Sequence, residues 1–188
     1  GSWEFTDYVD DDGFNPEPIA IKVKVTIEGD EILVDFTGTS PQAKGSINPN
    51  FAFTQSAVYA VLKCITNPNI TANAGFARPI KVIAEPGSYV NPQHPAPVAA
   101  RGLGGFRIAH TVFGAMAKAL PDRIPGAWGG GEIGVTFGGY HPGGKAFVFL
   151  EFNNDGPRGG GPFSDGADGA TAPVTNQANT PIESIEAD

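Results

Sequence analysis

The stretch IAIKVKVTIEGDEILVDF, residues 19–36, decides the fold. Apolar side chains occupy every second position from Ile19 to Ile27, a pattern that predicts a β-strand with one buried face. Gly29 tolerates the positive φ that tight turns demand, and the apolar segment 32–36 follows directly. We therefore expect an antiparallel β-hairpin at this point of the chain.

The remaining apolar residues predict two helices and three further strands. The helices are expected at 52–66 and 103–120, and the strands at 79–84, 133–137 and 146–152, with a turn over 138–144. The order ββαβαββ, with antiparallel hairpins, predicts an α+β fold. Its sheet is expected to be antiparallel or mixed and to begin with the hairpin. Two main helices and long Gly/Pro-rich loops are expected to complete the fold.

Glycine and proline divide the chain into unequal parts. There are 26 Gly and 17 Pro among the 188 residues. Residues 1–2 are typical of a cloning remnant, and residues 3–152 are expected to form the α+β core. Residues 153–188 predict a Gly/Asn/Asp/Pro-rich loop followed by a truncated C-terminal strand. Loops of this length in compact domains usually serve function or are mobile.

The charge balance and the lengths of the apolar runs argue against two classes of partner. The formal net charge is −8 and no Lys/Arg cluster interrupts it, which argues against a nucleic-acid backbone as ligand. No apolar run approaches the roughly 18 residues of a membrane span, and no signal peptide is recognised. The single cysteine, Cys64, falls in an apolar helical pattern that predicts a buried small hydrophobe. Together these features predict a cytoplasmic protein without membrane or nucleic-acid partners.

Several apparent motifs fail on closer reading. Asp10 to Gly13 lacks the ligand spacing of a calcium loop and is interpreted as a solvated acidic turn. Residues 129–134 fit G-x-G-x-x-G, but a predicted strand follows instead of the helix that would bind pyrophosphate. His94, His110 and His141 show no metal-ligand spacing and are interpreted as structural or surface histidines.

A series of short sequence motifs gives the chain a resemblance to a known family. The most specific is VDFTGTSPQ at 34–42, followed by GSIN at 45–48 and GSYVNP at 87–92. NAG at 73–75, RPI at 78–80, PAPVAAR at 95–101 and NTPIE at 179–183 complete the order. In this order and spacing the chain resembles the central part of the hydantoinase B/oxoprolinase family, over almost its whole length.

The family resemblance implies an enzymatic function, which the amino-acid composition alone does not indicate. It implies part of an ATP-dependent cyclic-amide hydrolase that opens hydantoin or 5-oxoproline rings. ATP and Mg²⁺ would belong to a hydantoinase A-type partner subunit or domain, and a divalent metal to another part of the full subunit. An acetone or acetophenone carboxylase-type subunit is the alternative within the family. A non-catalytic subunit-interaction domain is the alternative from another class.

Four residues are candidates for substrate binding, and the catalytic residues are not identified. Arg78 and Arg101 lie in proline-bounded loops, where a guanidinium can grip a carboxylate or phosphate with two parallel hydrogen bonds. Asp165 and Asp168 lie in the glycine-rich segment, where the backbone can approach a ligand closely. For the two arginines, the alternative is a structural role in which the guanidinium holds its loop through hydrogen bonds to backbone carbonyls. For the glycine-rich segment, the alternative is a flexible surface loop without a ligand.

Overall fold

The computed structural model describes residues 1–67, 69–129, 133–153, 158–167 and 174. The elements in chain order are β1 (Ser2–Val9), β2 (Ile19–Glu28), β3 (Glu31–Asp35), α1 (Phe51–Ile65), α2 (Ala74–Ala77), β4 (Ile80–Ile83), α3 (Arg101–Ala119), β5 (Ile133–Tyr140) and β6 (Ala146–Asn153). The α+β class, the hairpin β2–β3, the two main helices and the predicted strands are confirmed.

Four strands form one mixed sheet in the order β1-β2-β3-β4. β1, β2 and β3 pair antiparallel, whereas β4 pairs parallel with β3 after the crossover through α1. Gly29 turns the hairpin with φ of 61°, as expected from the sequence. β5 and β6 form a separate antiparallel pair.

The alternation in β2 creates the main core. Its odd-numbered residues from Ile19 to Val25 are buried, and Lys22 and Lys24 on the other face are exposed. α3 packs across β1 and β2, and α1 packs against α3. Directly opposed residues of an antiparallel pair share one face of the sheet. The register Asp7↔Ile21 therefore places Asp7 on the face that the helices cover.

The sequence interpretation missed two elements. β1 was not predicted, although Trp3, Phe5 and Val9 alternate with polar residues, because the carboxylate of Asp7 breaks the apolar pattern on its inner face. The single turn α2 was missed because a four-residue helix leaves no measurable periodicity. It is fixed by its N-cap Asn73, whose side chain accepts from the amides of Gly75 and Phe76.

Three smaller expectations were wrong. Cys64 lies on an exposed part of α1 and is not a buried hydrophobe. Residues 138–140, expected in a turn, continue β5, and the turn begins after Tyr140. Asp12, expected in a solvated turn, is buried. The expected long loop from 153 lies mainly outside the described residues, but its part 158–167 forms a tight turn closed by a Gly161–Ser164 bridge.

Candidate functional site

A cavity of about 460 Å³ lies between β1, the part of α3 from Arg107 to Ala117 and the segment that follows this helix. Its polar lining groups are Asp7, Arg107, His110 and Trp128. Phe5, Phe113 and Ile124 supply apolar surface around them. A mostly apolar concavity with a few convergent polar groups is the usual form of a small-molecule site.

The sheet and the helix bring the polar groups together by simple geometry. Asp7 extends from the inner face of the edge strand β1, and Arg107 and His110 are three residues apart on α3, one helical turn. Arg107 Nη1 lies 3.3 Å from Asp7 Oδ2, so that an ion pair joins β1 to α3. Both side chains are partly exposed, and the pair is therefore worth little for stability.

His110 is held in the neutral form. Burial, and to a smaller extent the positive charge of Arg107, lower its pKa to about 4 against the opposing charge of Asp7. Its Nδ1 lies 3.5 Å from Arg107 Nη1 and 3.8 Å from Asp7 Oδ2. A guanidinium can only donate, so from this contact we assign the tautomer with the lone pair on Nδ1 and the proton on Nε2. In this tautomer His110 is a hydrogen-bond donor through Nε2–H.

Trp128 closes the cavity beside His110. Its ring meets the imidazole edge to face, with centroids 3.9 Å apart, and meets Phe113 in the same manner at 5.2 Å. His110 is 8% exposed and Trp128 7% exposed. Among the residues that the structure describes, neither His110 Nε2 nor Trp128 Nε1 has a hydrogen-bond partner. His110 Nε2 and Trp128 Nε1 are thus two buried, unpaired polar atoms on residues that line the cavity.

The glycine-rich segment supports the wall that carries Trp128. The Gly126 amide donates to the carbonyl of Gly160 at 2.8 Å. Gly159 packs so closely on Gly126 that a Cβ there would overlap the Gly126 carbonyl. The glycines at this point permit close contact between two backbones. Close approach of this segment to a ligand stays a prediction.

Neither of the two predicted arginines lines this cavity. Arg78 lines a depression at the beginning of β3 and β4, near the C-terminal end of α1. Arg101 is exposed at the first turn of α3, near the N-terminal end of α1, where Nη1 donates to the Val98 carbonyl at 3.4 Å. Its guanidinium also lies 5.9 Å from the centroid of Phe53. The two arginines are therefore at opposite ends of α1.

The two acidic candidates give less information. Asp165 is exposed in the turn 158–167, and Asp168 lies outside the described residues. A substrate-binding role for Arg78, Arg101, Asp165 and Asp168 remains a proposal. The described residues contain no group of three or more His, Cys, Asp or Glu side chains that could hold a metal ion.

Two buried polar side chains, Asp12 and Asn48, stabilise loops of the fold, and Asn48 belongs to the family motif at 45–48. The Asp12 carboxylate accepts hydrogen bonds from the backbone amides of Asn15, Phe14, Gly45 and Lys44. These bonds, that of Asn15 most strongly, lower the pKa of Asp12 to about 2, although burial of the carboxylate acts in the opposite direction. Asn48 is fully buried, accepts from the Ala43 amide and donates to the carbonyls of Ala43, Gly45 and Pro97. Both side chains fasten loops next to the sheet.

The sequence contains polar residues on otherwise apolar faces that indicate the cavity, but the spacing expected of metal ligands does not detect them. Asp7 is the only acid on the inner face of β1, between Phe5 and Val9. Arg107 and His110 interrupt the apolar face of α3 one turn apart. Trp128 carried no signal, because nothing local predicts that residues 124–128 fold back onto α3.

The fold is that of an α+β domain with a candidate small-molecule cavity between β1 and α3, and comparison with known proteins specifies its family. Residues 1–188 match the family described as hydantoinase B/oxoprolinase. The chain therefore belongs to the hydantoinase B/oxoprolinase family, as the resemblance of its motifs indicated.

Curated relatives share a substantial part of this sequence. The putative D-/L-hydantoinase B-type subunit of Pseudomonas sp. (strain NS671) is 33% identical over 186 residues, which cover 95% of this chain and 31% of that protein. The 5-oxoprolinase 1 of Arabidopsis thaliana is 31% identical over 186 residues, covering 97% of this chain and 13% of that protein. The chain thus spans about a third or less of the length of these relatives.

Two solved structures share the fold. The ATP-dependent caprolactamase from Pseudomonas jessenii superposes with a TM-score of 0.66 at 24% identity, covering 90% of this chain and 32% of that chain. The nucleotide-free acetone carboxylase gives a TM-score of 0.75 at 16% identity, covering 100% and 27%. Within the described part of this chain, no helix is long and apolar enough to cross a membrane.

Proposed function

We propose that this chain is part of the hydantoinase B-type subunit of an enzyme that uses ATP to open cyclic amides such as hydantoins or 5-oxoproline. The observation that carries the proposal is the family match over residues 1–188. Relatives named as a hydantoinase B-type subunit and as 5-oxoprolinases support the same reaction class. The fold shared with an ATP-dependent caprolactamase is consistent with it.

The described residues suggest what this part of the protein contributes. The sheet and helices supply a rigid core, and the His110 cavity supplies one wall of the substrate site. ATP and Mg²⁺ are assigned to a hydantoinase A-type partner subunit or domain in the cytoplasm, and a divalent metal to another part of the full subunit.

Reconstitution tests the proposal. The full-length subunit is combined with its ATP-using partner, and ADP formation is measured with hydantoin, 5-oxoproline, caprolactam, or acetone plus bicarbonate. We expect ADP to form with at least one cyclic amide, together with a product heavier than the substrate by one water. ADP formation with acetone and bicarbonate only would identify a ketone carboxylase. ADP formation with none of the four would favour a non-catalytic interaction domain.

A further inference from the structure

We propose that the cavity binds a neutral carbonyl oxygen, that of an amide, lactam or ketone, between His110 Nε2–H and Trp128 Nε1–H. The inference deepens the proposed function by naming the atoms that would recognise a substrate carbonyl. It rests on the geometry of the cavity, and its test measures binding without turnover, so either proposal can fail while the other stands.

The two donors point to an acceptor ligand. Both side chains line the cavity, and each is more than nine-tenths buried. Burial of an N–H without a partner is unfavourable, and native proteins rarely leave such groups unpaired. His110 and Trp128 come from α3 and from the segment after it, and their rings are in direct contact. One carbonyl oxygen has two lone pairs and accepts from two such neighbouring donors.

The charges on the wall favour a neutral ligand over an anion. Among the described residues, the charged groups that line the cavity are Asp7 and Arg107, and they compensate each other at 3.3 Å. His110 adds no charge at neutral pH. A carboxylate or phosphate would have to give up its hydration next to the Asp7 carboxylate, and the cation nearest to the donor pair, Arg107, is already paired with that carboxylate.

The remaining surface suits a small apolar body. Phe5, Phe113, Ile124 and Ala117 line the space around the donors. A volume of about 460 Å³ lies within the range of roughly 300–1,000 Å³ that is usual for small-molecule sites. A five- to seven-membered ring that carries a carbonyl therefore matches the cavity in size, polarity and charge.

Indole N–H resonances of the ¹⁵N-labelled protein provide a direct readout. The 188 residues of this chain contain two tryptophans, and Trp3→Phe in this chain identifies the Trp128 signal by elimination. We titrate with 2-pyrrolidinone, a neutral lactam, and in parallel with acetate. The expected result is a saturable shift of the Trp128 indole N–H and of the His110 ring nitrogens with the lactam, and a smaller or no response to acetate. Absence of a saturable lactam shift overturns the proposal, as does stronger binding of acetate.

Two variants connect the binding to the two atoms. Trp128→Phe and His110→Phe each retain an aromatic ring and remove the N–H donor. Each is expected to weaken lactam binding about three- to tenfold, as the loss of one neutral hydrogen bond requires. Trp3→Phe is the matched control and should leave affinity unchanged. Wild-type affinity in both donor variants, with folding verified by the Trp3 signal in the His110 variant and by circular dichroism in both, would overturn the proposal.

Discussion

Gly114 of α3 lies against the ring of Phe5 on β1, so closely that a Cβ at Gly114 would come within 2.5 Å of Phe5 Cδ1. This contact sets the distance between the helix and the edge strand. Because Phe5 also lines the cavity, the same contact sets the width of the cavity beside Asp7 and His110.

Gly114→Ala is expected to lower the free energy of unfolding by about 1–3 kcal/mol, because an added methyl in a tight contact forces side chains off their preferred positions. Gly102→Ala is the matched control on the same helix, since a Cβ there meets nothing within 4 Å. It should be neutral or stabilising by up to about 1 kcal/mol. Urea denaturation of both variants measures the difference, and equal stabilities would show that α3 does not depend on this contact.

The neutral state of His110 predicts a specific acid sensitivity. Its pKa falls from 6.5 in the unfolded chain to about 4 in the folded protein, so the unfolded state binds the proton first as pH decreases. Stability is therefore fully present above pH 6.5 and is lost between pH 6.5 and 4, by up to about 2–3 kcal/mol. Asp7 and Arg107 are the charged groups that face the ring and modulate this loss.

Denaturation at several pH values measures this effect. His110→Phe should remove the slope between pH 6.5 and 4, whereas His141→Phe, at an exposed position, should retain it. The Asp12 contribution is lost at lower pH, from 3.8 towards 2, and should persist in both variants. A slope that survives in His110→Phe would assign the acid sensitivity to another group.

Asn48→Asp is expected to be strongly destabilising. The substitution replaces an amide that donates to three carbonyls with a buried carboxylate that those carbonyls repel. We expect a loss of at least about 3 kcal/mol. Asn50→Asp, two residues further, is the control: Asn50 caps α1 by accepting from the Phe53 amide, and Asp caps equally well. Thermal unfolding of the two variants should differ by many degrees, and similar values would refute the role of Asn48.

Arg101→Lys tests the proposed binding role of Arg101. The exposed guanidinium makes one long hydrogen bond, so we expect unfolding free energy to change by less than about 0.5 kcal/mol. If Arg101 grips substrate, turnover or substrate affinity of the intact enzyme should decrease severalfold, because lysine lacks the planar fork. Arg123→Lys is the control, since Arg123 Nη2 donates to the Ile65 carbonyl at 2.8 Å and serves the fold. Unchanged kinetics in Arg101→Lys would remove the residue from the site.

The sequence predicted the fold better than the site, for a physical reason. Alternation in β2 and helical spacing in α1 and α3 are local patterns, and burial of their apolar faces enforces them. The family motifs likewise contain residues such as Asn48 that fasten loops. Spacing alone did not reveal that Asp7 meets Arg107, because a contact between residues 100 positions apart depends on the packing of α3 on β1.

His110 shows the same limit of arguments from sequence spacing. His110 was assessed by its sequence distance to His94 and His141, as a metal ligand would be. Its partners are Arg107 on the same helix, Asp7 on β1 and Trp128 beyond the helix end. An unpaired Nε2 becomes visible only when all of these neighbours are placed.

The most direct test of the account is the kinetics of Trp128→Phe in the intact, ATP-using enzyme, with Trp3→Phe as control. If the His110 cavity is a wall of the substrate site, KM for the cyclic amide should increase about three- to tenfold in Trp128→Phe, while KM for ATP stays constant and Trp3→Phe behaves as wild type. An unchanged KM and kcat for the cyclic amide in correctly folded Trp128→Phe would contradict the account.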